Sequence, residues 1–193
     1  MILASASPRR KDILTEYGYT FKIITADYEE KAFTSSPEET VKTFALGKAQ
    51  AVYNGLTDSE KQNFVVLGAD TVVSLDGKIL GKPQGIEDAK EMLKSLSNRA
   101  HAVYTGYAIV SKNGAIQNAV KTEVVFNTLA DSLIEEYVAT GKPLDKAGAY
   151  GIQDGYPLAS AVNGSLYNVI GLPIEEIDIE LKKILKKIKA KDI

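Results

Sequence analysis

The 193-residue sequence contains no cysteine and a single histidine, His101. Without cysteine there can be no disulfide, no thiolate-held zinc and no thiol catalysis. That absence fits a reducing compartment. A lone histidine cannot build a multi-histidine metal site, so a packed or surface role for His101 is expected over a catalytic one. Charge of one sign is lacking too. The chain has 23 basic and 25 acidic residues and a formal net charge of -2. It has no dense positive composition of the kind that holds a nucleic-acid polymer. Any phosphate binding must come from local clusters. No apolar run approaches the roughly 20 residues that span a bilayer. The opening stretch MILASASPRRKDIL has its arginines after a short apolar run, where a secretory leader would have them before it. The expected location is the cytoplasm, with neither membrane nor nucleic acid as partner. No Walker-type GxxxxGK[ST], repeat or low-complexity tract occurs.

What is present describes an ordinary globular chain. Apolar residues make up 45% and charged residues 25%, close to the averages for soluble domains. The length suits a single domain, taken as 1–193, or two closely joined lobes. Met1 to Ala4 reads as a short buried strand. Pro8 suits the first turn of a helix, which Gly18 would stop. Phe21 to Ile24 is strand-like. Ser36, with Glu39 three residues on, has the form of a capping box opening a helix to about Tyr53. Val65 to Val73 reads as a strand and Asp76-Gly77 as a hairpin turn. A helix is expected over Ile86 to Leu96. Strands are expected over Ala100 to Ser111 and Gln117 to Phe126, joined at Asn113-Gly114. A helix over Ser132 to Thr140 should end at Gly141. Leu166 to Ile170 reads as a short strand, and Ile174 to about Lys189 as a final amphipathic helix with a lysine-rich outer face. The class is α/β with a mixed sheet.

Several places carry chemistry. Ser7 and the backbone N–H groups at the first helix start suit phosphate oxygens. Arg9 and Arg10 beside them can each grip a phosphate through paired hydrogen bonds. An ordinary capped helix with solvated arginines has the same local pattern. Asp70 ends an apolar strand, where an acid is costly to bury unless paired or bound to metal. It could hold a cation or activate a water, or simply occupy a turn. Lys82, between Gly81 and Pro83, and Lys48, on an alanine-rich helix, could meet phosphate, although surface lysines read the same way. The stretch from Asp145 to Gln153 is small and glycine-rich, so a ligand could approach its backbone. Asp145 and Lys146 form a local pair there, and the Gln153 amide suits a pyrimidine edge.

Leu3-Ala4-Ser5-Ala6-Ser7-Pro8-Arg9-Arg10, Gly68-Ala69-Asp70-Thr71-Val72-Val73, Gly81-Lys82-Pro83, Asp145-Lys146-Ala147-Gly148-Ala149-Tyr150-Gly151-Ile152-Gln153 and Gly171-Leu172-Pro173 follow one another along the chain. Together they resemble the Maf family of nucleotide pyrophosphatases, from Met1 to about Glu175. The resemblance implies a mixed central sheet with flanking helices and two lobes around a cleft, similar to the inosine triphosphate pyrophosphatases. It implies cleavage of a nucleoside triphosphate to monophosphate and pyrophosphate with Mg²⁺ or Mn²⁺. By the same resemblance Asp70 is the general base, and Ser7, Arg9, Arg10, Lys48 and Lys82 bind phosphate. Glu30, next to Glu29, helps hold the metal with Asp70. Arg10, Thr71 and Gln153 are associated with base choice. The GADTVV and AGAYGIQ forms look like the branch acting on dTTP and UTP, with modified pyrimidine triphosphates as further substrates. The resemblance also admits a homodimer. One departure stands out. Asp154 follows Gln153, where the family more often has glycine.

Two rival functions remain. A sensor that binds nucleotide without hydrolysis, in cell-division control, needs phosphate grips but gains nothing from carboxylates beside a polyphosphate. A nucleotidyltransferase needs an acceptor site, for which no motif is visible. Both nucleotide house-cleaning and control of pyrimidine pools fit the hydrolase reading.

Overall fold

The structure is a computed structural model that describes residues 1–25, 27–29 and 36–189, with side chains to residue 186. Its strands are β1 (Ile2–Leu3), β2 (Lys22–Ile23), β3 (Val66–Leu75), β4 (Lys78–Leu80), β5 (Ala100–Ser111), β6 (Gly114–Phe126) and β7 (Ala159–Asn163). The helices are α1 (Pro8–Glu16), α2 (Pro37–Asn54), α3 (Asp58–Asn63), α4 (Ile86–Leu96), α5 (Asp131–Ala139), α6 (Leu166–Ile170) and α7 (Ile174–Lys189), with two 3₁₀ turns over Lys142–Asp145 and Ala147–Ala149. The strands form one mixed sheet in the order β2-β1-β3-β5-β6-β7, with β4 paired to β3. β1 runs parallel to β2 and β3, and the remaining pairs are antiparallel.

Side chains alternate across a strand, and β3 shows how that alternation builds the cores. Val66 faces α2 together with Ile2, Ala45, Ala49 and Ala108. Leu67 and Ala69 face the opposite side and pack with Leu14, Leu172 and Ile177. Further along that second side, Val73 and Leu75 enter another cluster with Leu93, Phe126 and Tyr137. One sheet face therefore carries two apolar cores, one under α1 and α7 and one under α4 and α5. These are the two lobes, and α2 backs the sheet behind them. Glycines set how closely α2 lies. A Cβ at Gly68 would collide with the Ala45 carbonyl, and one at Gly106 with that of Val41. Both contacts are with backbone, which cannot swing aside.

Most local signals act as read. Pro8 opens α1, and Gly141 ends α5 in the left-handed conformation. Asp76 and Gly77 both take positive φ in the β3–β4 turn, as a two-residue hairpin of this type requires. At Ser36 only half of the expected capping box forms. Its hydroxyl accepts from the Glu39 N–H, but the Glu39 carboxylate turns to Lys42 at 2.5 Å. The full box lies at Thr57 and Glu60, opening α3, a helix not expected from the sequence. Leu166–Ile170 corrects the reading as a strand. It is a helical turn, started by Ser165, whose hydroxyl accepts from Asn168 N–H, and stopped by Gly171 at φ 119°. Its β-prone side chains are overruled by a cap at each end. β7 was likewise not anticipated. On α7, Ile177 and Leu181 are buried, and Ile184 and Leu185 pack against the same core, so that apolar stripe faces the protein. No helix among the described residues is long and apolar enough to cross a membrane.

Candidate active site

The cleft forms where β1 runs out. Its last ladder contact is the Ala4 N–H to the Leu67 carbonyl at 2.8 Å, and β4 joins the same edge of β3 only at Val73. Between those points β3 passes through Gly68 to Val72 with neither neighbour. Asp70 and Thr71 fall in that interval. Being successive residues, they point to opposite faces of the sheet. Asp70 turns toward α2, and Thr71 toward α1 and α6. The cleft wraps this edge and has a volume of about 530 Å³. Ser7, Arg9, Arg10, Lys48, Asp70, Thr71, Lys82 and Gln153 all line it. Residues scattered over some 150 positions of sequence thus converge on one site. Glu30, expected at the metal, lies outside the described residues.

On the α2 face, Lys48 Nζ donates to Asp70 Oδ1 at 2.6 Å. Both side chains are largely buried. The structure corrects the reading of Asp70 as a strand-end acid: it lies in the middle of β3, and its pair with Lys48 offsets the cost of burying a charge there. Among the described residues no three or more His, Asp or Glu gather to hold a metal ion. A carboxylate in a cleft lined by arginine and lysine still suits Mg²⁺, which is commonly held by one or two carboxylates plus substrate phosphates. The donor chemistry therefore fits a hard divalent cation.

The two arginines are ordered by the protein itself. Arg9 donates to Asp145 Oδ2 at 2.9 Å, bridging from α1 to the opposite lobe. Asp145 also accepts from Lys146 Nζ at 2.8 Å, so the expected local pair exists and is shared with Arg9. Burial raises the Asp145 pKa, but the hydrogen bonds from Lys146 and Arg9 outweigh it and hold the carboxyl below its ordinary value. Arg10 is fixed at three points. Nε donates to the Gly171 carbonyl at 2.9 Å, Nη1 to Ser5 Oγ at 3.0 Å and Nη2 to Thr71 Oγ1 at 3.2 Å. Ser7 is the N-cap of α1 but makes no side-chain cap bond. Lys82 is exposed at the rim, on a loop tied to the far lobe by the Gly148 N–H to the Gly81 carbonyl at 3.0 Å.

Gln153 is exposed in the cleft and makes no side-chain hydrogen bond among the described residues. The loop that presents it is anchored from behind. Tyr137 Oη donates to Asp154 Oδ2 at 2.6 Å and accepts from the Gly151 N–H at 2.9 Å. Lys146 Nζ lies 3.4 Å from the same Asp154 oxygen. Burial first, and then the Asp154 hydrogen bond, push the Tyr137 phenol strongly up. The unusual acid after Gln153 is thus a built-in anchor of the loop. The sequence marked Asp154 as odd but offered no way to find Tyr137. Thr105 and Asn168 also escaped notice, because each is a common residue type made informative only by its neighbours in space, and Ser5, read as part of the turn before α1, accepts from Arg10. His101 stands apart from this chemistry. It is buried, with Nε2 2.8 Å from Tyr150 Oη, as a packed histidine should be.

Comparison with known proteins agrees with this geometry. A family model described as Maf-like protein matches residues 1–184. A dTTP/UTP pyrophosphatase of Clostridium beijerinckii is 43% identical over 189 residues, covering 95% of this chain and 98% of that protein. One from Thermococcus onnurineus is 46% identical over 176 residues, covering 91% and 92%. Among solved structures, the Ham1 protein of Staphylococcus aureus aligns with a TM-score of 0.43 and 18% identity over 67% of this chain and 71% of that one, a likeness too slight to weigh in the assignment. On the strength of the match across nearly its whole length, the chain belongs to the Maf family.

Proposed function

We propose that the protein hydrolyses dTTP and UTP, and modified pyrimidine triphosphates, to the monophosphate and pyrophosphate. The observation that carries this reading is the Asp70–Lys48 pair in a cleft shared with Arg9, Arg10 and Lys82. Relatives at 43–46% identity that bear the name dTTP/UTP pyrophosphatase support the choice of substrate. The cations offset the charge of the triphosphate and of the leaving pyrophosphate. Ser7 and the α1 start receive phosphate oxygens. Asp70 takes the proton of the water that attacks the α-phosphate. Asp70 and Glu30 would hold a Mg²⁺ or Mn²⁺ ion, which when bound would supply polarisation of phosphate oxygens and easier ionisation of water. Thr71 and Gln153 meet the base edge, with Arg10 holding Thr71 in place. A non-hydrolytic regulator of cell division has no use for a carboxylate set among the phosphate grips.

The test is purified protein against a panel of triphosphates with Mg²⁺ or Mn²⁺, assayed separately for pyrophosphate and phosphate. Pyrophosphate from dTTP and UTP, abolished by chelator, is expected. Nucleotide binding with no turnover of any triphosphate would hand the site to the regulatory reading.

A further inference from the structure

Behind Thr71 lies a chain of buried polar groups that hydrolysis does not use. Thr105 stands directly opposite Thr71 in the β3–β5 register, and both Thr105 and Asn168 are fully buried. Thr105 Oγ1 is 2.8 Å from the Asn168 carbonyl oxygen and 2.9 Å from Thr71 Oγ1. A carbonyl oxygen can only accept, and a hydroxyl has one proton. The Thr105 proton therefore lies on the bond to Asn168. In the other bond Thr105 must accept, and Thr71 must donate. Arg10 Nη2 occupies one lone pair of the same Thr71 oxygen. The Thr71 hydroxyl thus has its proton turned inward and meets the cleft as an acceptor alone.

The origin of this relay is held firmly. Asn168 Nδ2 donates to the Val103 carbonyl at 3.1 Å and to Thr122 Oγ1 at 2.9 Å. Its backbone N–H donates to Ser165 Oγ at 3.0 Å. Its carbonyl receives the Gly171 N–H at 3.1 Å as well as the Thr105 hydroxyl. Reversing the relay would leave that carbonyl 2.8 Å from an oxygen with no proton between them.

We propose that Thr105 is a specificity-determining positioning residue that sets the hydrogen-bond polarity of Thr71. The inference rests on the proposed pyrimidine triphosphate hydrolysis, with Thr71 at the base. The N3–H is the only donor on the pairing edge of uracil or thymine, so an acceptor-only Thr71 meets those bases there. Cytosine has the same size but puts a lone pair at N3. At N3 it would set acceptor against acceptor, and although its N4 amine offers a donor one position along the edge, the relay makes it the poorer substrate without any steric obstacle.

The experiment measures kcat/KM for UTP and CTP in the wild type and in Thr105→Val, Thr105→Ala, Thr105→Ser and Thr71→Val, with folding followed by circular dichroism. Val and Ala remove the acceptor and release the Thr71 proton to the cleft. The UTP:CTP ratio should fall at least about tenfold, largely through a gain on CTP, while Ser retains the wild-type ratio. A general loosening of the fold would lower both rates together and leave the ratio in place. If Thr105→Val does not fold, Thr105→Ala decides. Folded Val or Ala variants with the wild-type ratio overturn the proposal. If Thr71→Val also leaves the ratio unchanged, the placement of Thr71 at the base falls with it. If Thr71→Val shifts the ratio alone, only the relay from Thr105 is wrong.

Discussion

The two faces of β3 at the cleft are built from different materials. On the α2 side Asp70 meets Lys48 in a charged pair. On the other, one residue further along, Thr71 joins Thr105 and Asn168 in a chain of neutral groups, with Arg10 at its outer end. A strand gives adjacent residues to opposite faces, and the early end of β1 opens that edge to one cavity. Charge stabilises where bonds are to break, because a buried field acts strongly on developing charge. Neutral hydroxyls suit discrimination, because their direction is set by a single proton. On the proposed function, reaction and base choice are separated by one position in sequence.

The strongest way to break the charged face is Asp70→Asn. It should lower kcat on UTP by about 10³-fold while the far-UV spectrum and the base ratio stay as in the wild type. A pH series separates both faces from the fold behind them. Burial lowers the His101 pKa to about 4 from its ordinary 6.5. Above pH 6.5 the ring is neutral folded or unfolded and costs nothing. As pH falls from 6.5 toward 4 the unfolded chain takes up a proton that the buried ring refuses, so about 3 kcal/mol of stability is lost. Urea unfolding at pH 7 and pH 4.5 should show a smaller acid loss in His101→Gln than in the wild type.

The fold was legible where local chemistry governs it. Proline at a helix start, Asp-Gly in a hairpin and the apolar run from Val65 to Val73 each act through near neighbours. Leu166 to Ile170 was not legible, because its side chains favour a strand and its helical form depends on Ser165 and the left-handed Gly171. Within the cleft, Asp70, Arg9, Arg10 and Lys82 carry charge in their residue type and fall in the ordered motifs, whereas Lys48, on an alanine-rich helix outside them, was assigned to phosphate only through the family resemblance. Thr105, Asn168 and Tyr137 have neither the charge nor a place in the motifs. A buried threonine matters only because another stands opposite it across the sheet, and Tyr137 reaches Asp154 over a gap of 17 residues.

Lys48→Met tests how much of the charged face is the pair. The substitution removes the ammonium 2.6 Å from Asp70 and one cation of the cleft, and kcat/KM should drop about 100-fold, again with the UTP:CTP ratio held. The smallest effect belongs to the loop behind Gln153. Tyr137→Phe leaves the Gly151 N–H without its acceptor and takes the 2.6 Å hydroxyl donor from Asp154, which keeps Lys146 at 3.4 Å. Thermal unfolding should show a loss of about 2 kcal/mol, with KM rising more than kcat falls.

The division of labour on β3 is tested most directly by measuring kcat/KM for UTP and CTP side by side in Asp70→Asn and Thr71→Val. The account predicts that the first lowers both rates by the same factor, and that the second changes their ratio while retaining most turnover of UTP. A shifted ratio in Asp70→Asn, or an equal loss on both substrates in Thr71→Val, would contradict it.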